Sequence, residues 1–294
     1  MKTRLLFLSA CLFAAQAHAV ISVRDDAGTV VTLPKPAQRV VSLAPHVTEM
    51  LFAAGAGDKI VGNVKYSDYP PAASKIARVG DNRNVDIERL LALKPDLLVV
   101  WRHNASSRQM EQLRKLGVPL YYSDPQRLED IPAALLKMGQ LTGTEQQAQR
   151  SAAELRRQID SLSARYRSRP QVRVFYQVWD KPLYTLNERH IVTDMIRLCG
   201  GENIFAKLPL AAPSLNPEAV LQEDPEVIVS GDRSDLKMTG LDIWKQYPSL
   251  LAVRRGNLFA IEADLMNRSG PRIVEGAAAL CTRLEEARTR REER

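Results

Sequence analysis

Two sequence patterns occur in each half of this 294-residue chain, in the same order. Val47-Thr-Glu-Met-Leu51 recurs as Val192-Thr-Asp-Met-Ile196, and each is followed by a glycine four residues later. Asp86-Ile-Glu88 recurs as Asn216-Pro-Glu218, and each is followed seven residues later by a Pro-acidic-apolar run. An internal repeat of this kind predicts two lobes that share one architecture.

Strand and helix patterns alternate within each half. In the first half the strands are predicted at 39–43, 97–101 and 118–122, and the helices at 46–54, 105–116 and 129–141. In the second half the strands are predicted at 172–178, 227–229 and 258–261, and the helices at 191–198, 217–222 and 271–288. Such alternation predicts parallel sheets covered by helices, so the expected fold class is α/β.

A long amphipathic segment separates the two halves. Its apolar residues are spaced four and three positions apart: Ala148, Ala152, Leu155, Ile159, Leu162 and Tyr166. The pattern predicts one helix over 144–167, about 36 Å long, that packs across both lobes. The expected division is therefore a lobe at 20–143, a helix at 144–168 and a lobe at 169–294. A lone coiled-coil segment is the alternative.

The first 19 residues have the pattern of a secretory signal peptide. A basic start precedes the apolar run Leu5 to Ala15 and the small-x-small triplet that ends at Ala19, so cleavage is expected after Ala19. A lipoprotein box that ends at Cys11 is the competing interpretation. Either way the mature protein is exported.

Export changes what the cysteines imply. Once Cys11 is removed, Cys199 and Cys281 remain, and in an oxidising compartment we expect them to pair. Two buried free thiols are the alternative.

The charge is moderate and dispersed. The chain has 41 Lys and Arg against 34 Asp and Glu, a formal net charge of +7. Because the excess is not clustered, a nucleic-acid partner is not expected. The densest run, Arg283–Arg294, predicts a solvated and fraying helix end.

The sequence lacks the common catalytic motifs. The chain has no Walker loop, no G-x-G-x-x-G after a strand, no G-x-S-x-G and no H-E-x-x-H. Its mature histidines, His46, His103 and His190, lack metal-ligand spacing, so we expect neither a metal site nor an enzyme. An exported hydrolase that uses a Ser/His/Asp set with His46 or Asp264 is one alternative, and a structural adaptor without a small ligand is another.

Aromatic residues follow the predicted strands. Trp101 and Trp179 lie at or just past the ends of two strands, and Tyr66 and Tyr184 lie in predicted loops. In open parallel sheets ligands bind at the carboxyl edge, so these rings suit a large, flat, partly apolar ligand between the lobes. Packing beneath the loops is the alternative for each ring.

The repeat also places one glutamate at the same helical position in each lobe. Asp86 and Asn216 are good N-caps, which puts Glu88 and Glu218 at the second helical residue. Favourable interaction with the helix end explains each glutamate alone. The pair also suits a partner with two-fold symmetry that offers one basic residue to each lobe.

Several stretches together resemble the substrate-binding proteins of bacterial ABC importers for siderophores, haem and cobalamin. They are Arg39-Val-Val-Ser-Leu-Ala-Pro45 with Thr48-Glu49, Tyr66-Ser-Asp-Tyr-Pro-Pro71, Glu88-Arg-Leu-Leu-Ala-Leu-Lys-Pro-Asp96, Val100-Trp-Arg102, Cys199-Gly-Gly-Glu-Asn-Ile-Phe205 and Arg268-Ser-Gly-Pro-Arg-Ile273. The resemblance implies two rigid lobes joined by one helix, with cobalamin or a related corrinoid as the transported ligand and no resident cofactor. It implies a monomer in the periplasm that docks on a two-subunit permease with its ATPase subunits.

The resemblance also implies roles for particular residues. Tyr66 and Trp101 would wall the corrin, while Asp264 and Arg268, in the loop before the last helix, would contact its polar periphery. Glu88 and Glu218 would pair with permease arginines, and Cys199 and Cys281 would form a disulfide. Where such proteins often have tryptophan, this chain has Asn82 and Ala211 or Ala212. Cobinamide, haem and ferric siderophores are the alternative cargoes.

Overall fold

A computed structural model describes residues 20–81, 84–101, 107–232 and 240–292. The expected signal peptide, Asn82 and His103 lie outside these ranges. The strands are Ile21–Arg24 (β1), Val30–Leu33 (β2), Val40–Ser42 (β3), Ile60–Asn63 (β4), Leu97–Val100 (β5), Leu120–Tyr122 (β6), Val172–Gln177 (β7), Trp179–Asp180 (β8), Leu183–Tyr184 (β9), Gly201–Asn203 (β10), Ser214–Leu215 (β11), Val227–Asp232 (β12) and Leu258–Glu262 (β13). The helices are Pro45–Ala53 (α1), Ile87–Ala92 (α2), Ser107–Lys115 (α3), Asp130–Thr142 (α4), Glu145–Tyr166 (α5), Ile191–Leu198 (α6), Pro217–Glu223 (α7), Leu251–Arg254 (α8), Ala263–Asn267 (α9) and Ile273–Glu292 (α10).

The two halves form sheets of the same topology. The first sheet has the strand order β4-β3-β5-β6 and the second has β10-β7-β12-β13. All neighbouring strands in both sheets are parallel. The repeat in the sequence therefore corresponds to a repeat of structure, and the α/β fold class is confirmed. We call β1–α4 the first lobe and β7–α10 the second lobe.

Alternate residues of the central strands face opposite sides of each sheet. In β5, Leu97 and Val99 face a core that is shared with α1 and α4, whereas Leu98 and Val100 face a second core on the side of α2 and α3. In β12, Val227 and Val229 face the shared core and Ile228 faces the opposite side. Strands buried on both faces are typical of parallel sheets, which explains their continuous apolar runs.

Helix α5 joins the lobes and packs against both. It runs Glu145–Tyr166, one residue shorter at each end than the prediction of 144–167. Ala148, Ala152, Leu155 and Tyr166 are buried in the core that contains residues of both lobes, and Ile159 and Leu162 pack at its margin. The lobes thus share one continuous core through this helix.

The carboxyl end of α10 differs from the prediction of a solvated run. Arg288 is buried and donates to the carbonyls of Pro170 and Cys199 at 2.7 and 2.8 Å. Arg291 donates from Nε to Glu226 Oε1 at 2.6 Å, and Glu226 is itself buried. The prediction was wrong because the arginines pair with distant groups that the local sequence does not reveal. Within the described ranges, no helix is long and apolar enough to cross a membrane.

Candidate functional site

The carboxyl ends of the parallel strands bring several of the predicted residues to the edges of the two sheets. Trp101 directly follows β5, and Tyr66 lies three residues after β4. In the second lobe, Asp264 lies two residues after β13. Because ligands of open α/β sheets bind beyond the carboxyl ends of the strands, these edges form the candidate site.

Trp101 is half-buried and held by two neighbours. Its Nε1 donates to Asp124 Oδ1 at 2.9 Å, and the ring of His46 meets it edge-on at 5.6 Å between centroids. His46 is buried, and burial lowers its pKa to about 4, so its imidazole is neutral at pH 7. Among the described residues, its Nε2 has no hydrogen-bond partner. Trp101 therefore has a fixed orientation at the strand end.

Tyr66 lies in a loop, as predicted, and its side chain is 50% exposed. Its φ of 68° is in the left-handed region, which is unusual for a residue with a Cβ. The Nζ of Lys65 lies 5.0 Å from the centroid of the Tyr66 ring. The backbone therefore holds an aromatic ring toward solvent at a cost in conformational strain, and such strain is often found at binding sites.

Arg268 connects the lobes through carboxylates. Its Nη1 donates to Glu49 Oε1 at 3.1 Å and to Asp68 Oδ1 at 2.8 Å, and its Nη2 is 2.6 Å from Asp264 Oδ2. Burial raises the pKa of Asp264, and the positive charge of Arg268 partly opposes that effect. The Asp264 side chain is 42% exposed and that of Arg268 is 12% exposed. Asp264 lies in the short helix α9, so the prediction of a loop there was wrong.

Arg272 reinforces the same junction. Its Nε and Nη2 donate to the two carboxylate oxygens of Glu49 at 3.0 and 2.7 Å. Its guanidinium also lies 4.0 Å from the centroid of the Tyr69 ring. Glu49, Asp68 and Tyr69 belong to the first lobe and both arginines to the second. This ion cluster therefore joins the lobes through α1 and the loop that also carries Tyr66.

Trp179 and Tyr184 form a second aromatic group in the second lobe. They lie opposite each other in the antiparallel pair β8–β9, and β11 extends this ribbon. Tyr184 is therefore in a strand, and its prediction as a loop residue was wrong because a two-residue strand has no readable periodicity. Trp179 is 43% exposed, while the exposed Ala211 and Ala212 precede β11.

The paired acidic residues take equivalent positions in the two lobes. Asp86 accepts from Arg89 N at 2.9 Å and Asn216 accepts from Ala219 N at 3.0 Å, so both predicted N-caps are confirmed. Glu88 and Glu218 are each the second residue of their helix and are exposed. Each helix leads into a strand at the same place in its sheet, β5 or β12.

Cys199 and Cys281 form a disulfide, with their Cα atoms 4.7 Å apart. Both are fully buried, and the bond ties the end of α6 to α10. The expected pairing is confirmed.

Sequence reasoning assigned no role to Glu49 or Arg272. A signal was present, because Glu49 is the only acidic residue of the mainly apolar helix α1, where its side chain is 2% exposed. A buried carboxylate needs a compensating partner, but the sequence did not say which. Among the residues that the structure describes, no group of three or more His, Cys, Asp or Glu side chains could hold a metal ion.

The chain is similar to several known periplasmic proteins. Residues 40–265 match the profile of a family described as periplasmic binding protein. The chain is 38% identical over 259 residues to the vitamin B12-binding protein of Yersinia pestis, which is 87% of this chain and 90% of that protein.

Two solved structures are also similar. The structure of the periplasmic vitamin B12-binding protein of Vibrio cholerae aligns with a TM-score of 0.80 at 35% identity, covering 86% of this chain and 98% of that one. A periplasmic haem-binding protein from Pseudomonas aeruginosa aligns with a TM-score of 0.70 at 28% identity, covering 84% and 92%.

Proposed function

Because the chain belongs to the periplasmic binding protein family, we propose that it captures vitamin B12 or a related corrinoid and delivers it to a membrane ABC importer. The observation that carries the proposal is the 38% identity to a vitamin B12-binding protein across 87% of the chain. Similarity of that extent reaches into both lobes and includes the helix between them.

Four exposed or half-buried aromatic side chains would supply the apolar surface for the macrocycle. Tyr66 and Trp101 come from the first lobe, and Trp179 and Tyr184 come from the second. Flat aromatic rings bury large areas and suit a flat macrocycle. Trp101 is held by Asp124 and His46 before any ligand arrives, so little ordering entropy remains to be lost on binding.

Asp264 would accept hydrogen bonds from amide groups at the corrin periphery. It is the more exposed member of the pair that it forms with Arg268. Arg268 is surrounded by three carboxylates, so its contribution at the periphery is mainly to hold Asp264 in place.

Delivery would use the two exposed glutamates. Glu88 and Glu218 would each meet a basic residue on one subunit of a two-subunit permease that carries ATPase subunits.

The carrier would act as a monomer in the periplasm after cleavage following Ala19, with lipid attachment at Cys11 as the alternative. It would be a carrier and not an enzyme, which agrees with His46 being buried against Trp101. It would hold no resident cofactor and bind no nucleic acid.

Calorimetric titration of the ligand-free mature protein tests the proposal. Cyanocobalamin, dicyanocobinamide and haemin are titrated separately. We expect saturable one-to-one binding of a corrinoid that is tighter than binding of haemin. Failure of both corrinoids to bind would reject the proposal.

Haem is the second candidate. The observation that favours it is the 28% identity to a haem-binding protein with the same fold. The absence of tryptophan at Ala211 and Ala212 reduces the aromatic surface that a corrinoid would use. Preference for haemin in the same titration would select this candidate.

A further inference from the structure

A cavity of about 400 Å³ lies beside Tyr66 in the first lobe. It is lined by Lys65, Tyr66, Arg78, Gly80, Asp86 and Arg89. Three of these side chains are cationic and one is acidic. The lining therefore carries a net positive charge, and we call it the basic pocket.

The single carboxylate of the basic pocket is already engaged. Asp86 Oδ1 accepts the hydrogen bond from Arg89 N that caps α2. Lys65 and Arg89 are exposed to solvent, as is Asp86. An anion can therefore reach two exposed cations, and its attraction to the pocket depends on their excess over the single carboxylate.

Arg78 is fixed in the wall of the pocket. Its Nη1 donates to Asn63 Oδ1 at 2.9 Å and also to the carbonyl of Val64. Asn63 is fully buried and its own Nδ2 donates to the carbonyl of Ala73 at 3.0 Å. This half-buried guanidinium is therefore held in place before binding, which lowers the entropy that an anion must overcome.

Tyr66 joins the pocket to the candidate site. Its ring is part of the pocket lining, and it also belongs to the aromatic surface proposed for the macrocycle. Lys65 lies 5.0 Å from that ring. A ligand with a flat apolar body and an anionic arm can therefore place the body against Tyr66 and the arm among the cations.

We propose that the basic pocket binds a phosphate group, specifically the phosphodiester in the nucleotide loop of a complete corrinoid. The inference rests on the proposed function and adds a discriminating subsite to it. Cations bind phosphate oxygens through charge-assisted hydrogen bonds, and arginine suits their geometry. Cobinamide has the same macrocycle and lacks the nucleotide loop, so the pocket would distinguish the two ligands.

The test measures dissociation constants for cyanocobalamin and dicyanocobinamide in the mature protein and in Lys65→Gln, Arg89→Gln and the double variant. We expect each single change to weaken cyanocobalamin binding by about threefold to tenfold, and cobinamide binding to change less than twofold, roughly the range of one partly exposed charged hydrogen bond. Arg150→Gln on α5 is the matched control and leaves both constants unchanged.

Equal losses for both ligands, or no loss for either, would overturn the proposal. Free phosphate is the other source of the same chemistry. If inorganic phosphate at constant ionic strength raises the Tm of the wild type but not that of the double variant, while both corrinoids respond alike to the substitutions, the pocket holds a free anion and the proposal is wrong. If neither corrinoid binds the unaltered protein, it is the proposed function that fails.

Discussion

Glu49 in the first lobe and Arg272 in the second are joined by two hydrogen bonds, although 223 positions separate them in the chain. The Glu49 side chain is 2% exposed, so its charge depends on Arg272 and Arg268 for compensation. Removing one member of a buried ion pair leaves an unpaired charge or an unmatched donor in a poorly solvated place.

Glu49→Gln is therefore expected to lower the free energy of unfolding by about 2–4 kcal/mol. Urea unfolding followed by circular dichroism measures the change. Glu154→Gln is the control, because the exposed pair of Glu154 with Arg157 is worth less than about 1 kcal/mol. Equal effects of the two substitutions would show that the interlobe pair is not buried in solution.

His46 makes stability depend on pH in the mildly acidic range. Burial lowers its pKa from 6.5 to about 4. Well above pH 6.5 the imidazole is neutral in both the folded and the unfolded state and contributes no pH dependence. As the pH falls toward 4, the unfolded chain binds a proton that the folded protein excludes, so stability falls by about 2–3 kcal/mol between pH 7 and pH 4.5.

His46→Gln removes that titration. Thermal unfolding at several pH values should show a smaller loss of stability on acidification in the variant than in the wild type. Comparing slopes and not absolute stabilities separates titration from any packing defect. Parallel curves for the two proteins would mean that His46 titrates normally in the folded state.

The disulfide contributes stability by restricting the unfolded chain. Its sequence separation is 82 positions. The double substitution of Cys199 and Cys281 by alanine should lower the free energy of unfolding by about 2–5 kcal/mol. Urea unfolding of the mature protein gives this value.

A thiol assay checks the bond itself. The denatured, unreduced mature protein should show no free thiol, and two free thiols would contradict the pairing. A thiol reagent added to the folded mature protein without reductant should also modify no cysteine.

The proposed docking of Glu88 and Glu218 on a permease leads to a further prediction. Glu88→Arg and Glu218→Arg should each weaken binding to the permease in low salt by about fivefold or more, because each replaces an attraction by a repulsion. Affinity for cyanocobalamin should stay unchanged in both. Glu154→Arg on α5 is the charge-matched control, and normal docking by both reversed variants would reject the assignment.

Much of the fold could be predicted because its signals are local. β5 and the first half of β12 are short continuous apolar runs, and helix α5 has apolar residues at helical spacing. The internal repeat indicated that β5 and β12 are equivalent. The positions of Trp101, Glu88 and Glu218 follow directly from those elements. The ribbon that contains Trp179 and Tyr184 was missed, since its strands have two residues each and show no period.

The ion cluster between the lobes could not be predicted in the same way. Glu49 meets Arg268 and Arg272 only after both lobes have folded and α5 has set their distance. Arg288 and Arg291 of α10 are another case, because each also bonds a group more than sixty positions away, as Arg291 does with Glu226. The sequence shows that the residues of the ion cluster and the arginines of α10 are charged. Only the tertiary structure determines which of these charges are exposed to solvent.

Cyanocobalamin binding by Trp101 variants tests the proposal that the aromatic side chains at the carboxyl ends of the strands hold a corrinoid. Calorimetric titration should give one-to-one binding to the wild type and about tenfold or more weaker binding to Trp101→Ala, since the variant loses a large ring of the proposed site. Trp101→Phe keeps an aromatic ring but loses the hydrogen bond to Asp124, and should bind nearly as well as the wild type. Wild-type affinity in Trp101→Ala, or no binding of cyanocobalamin by the wild type itself, would contradict the account.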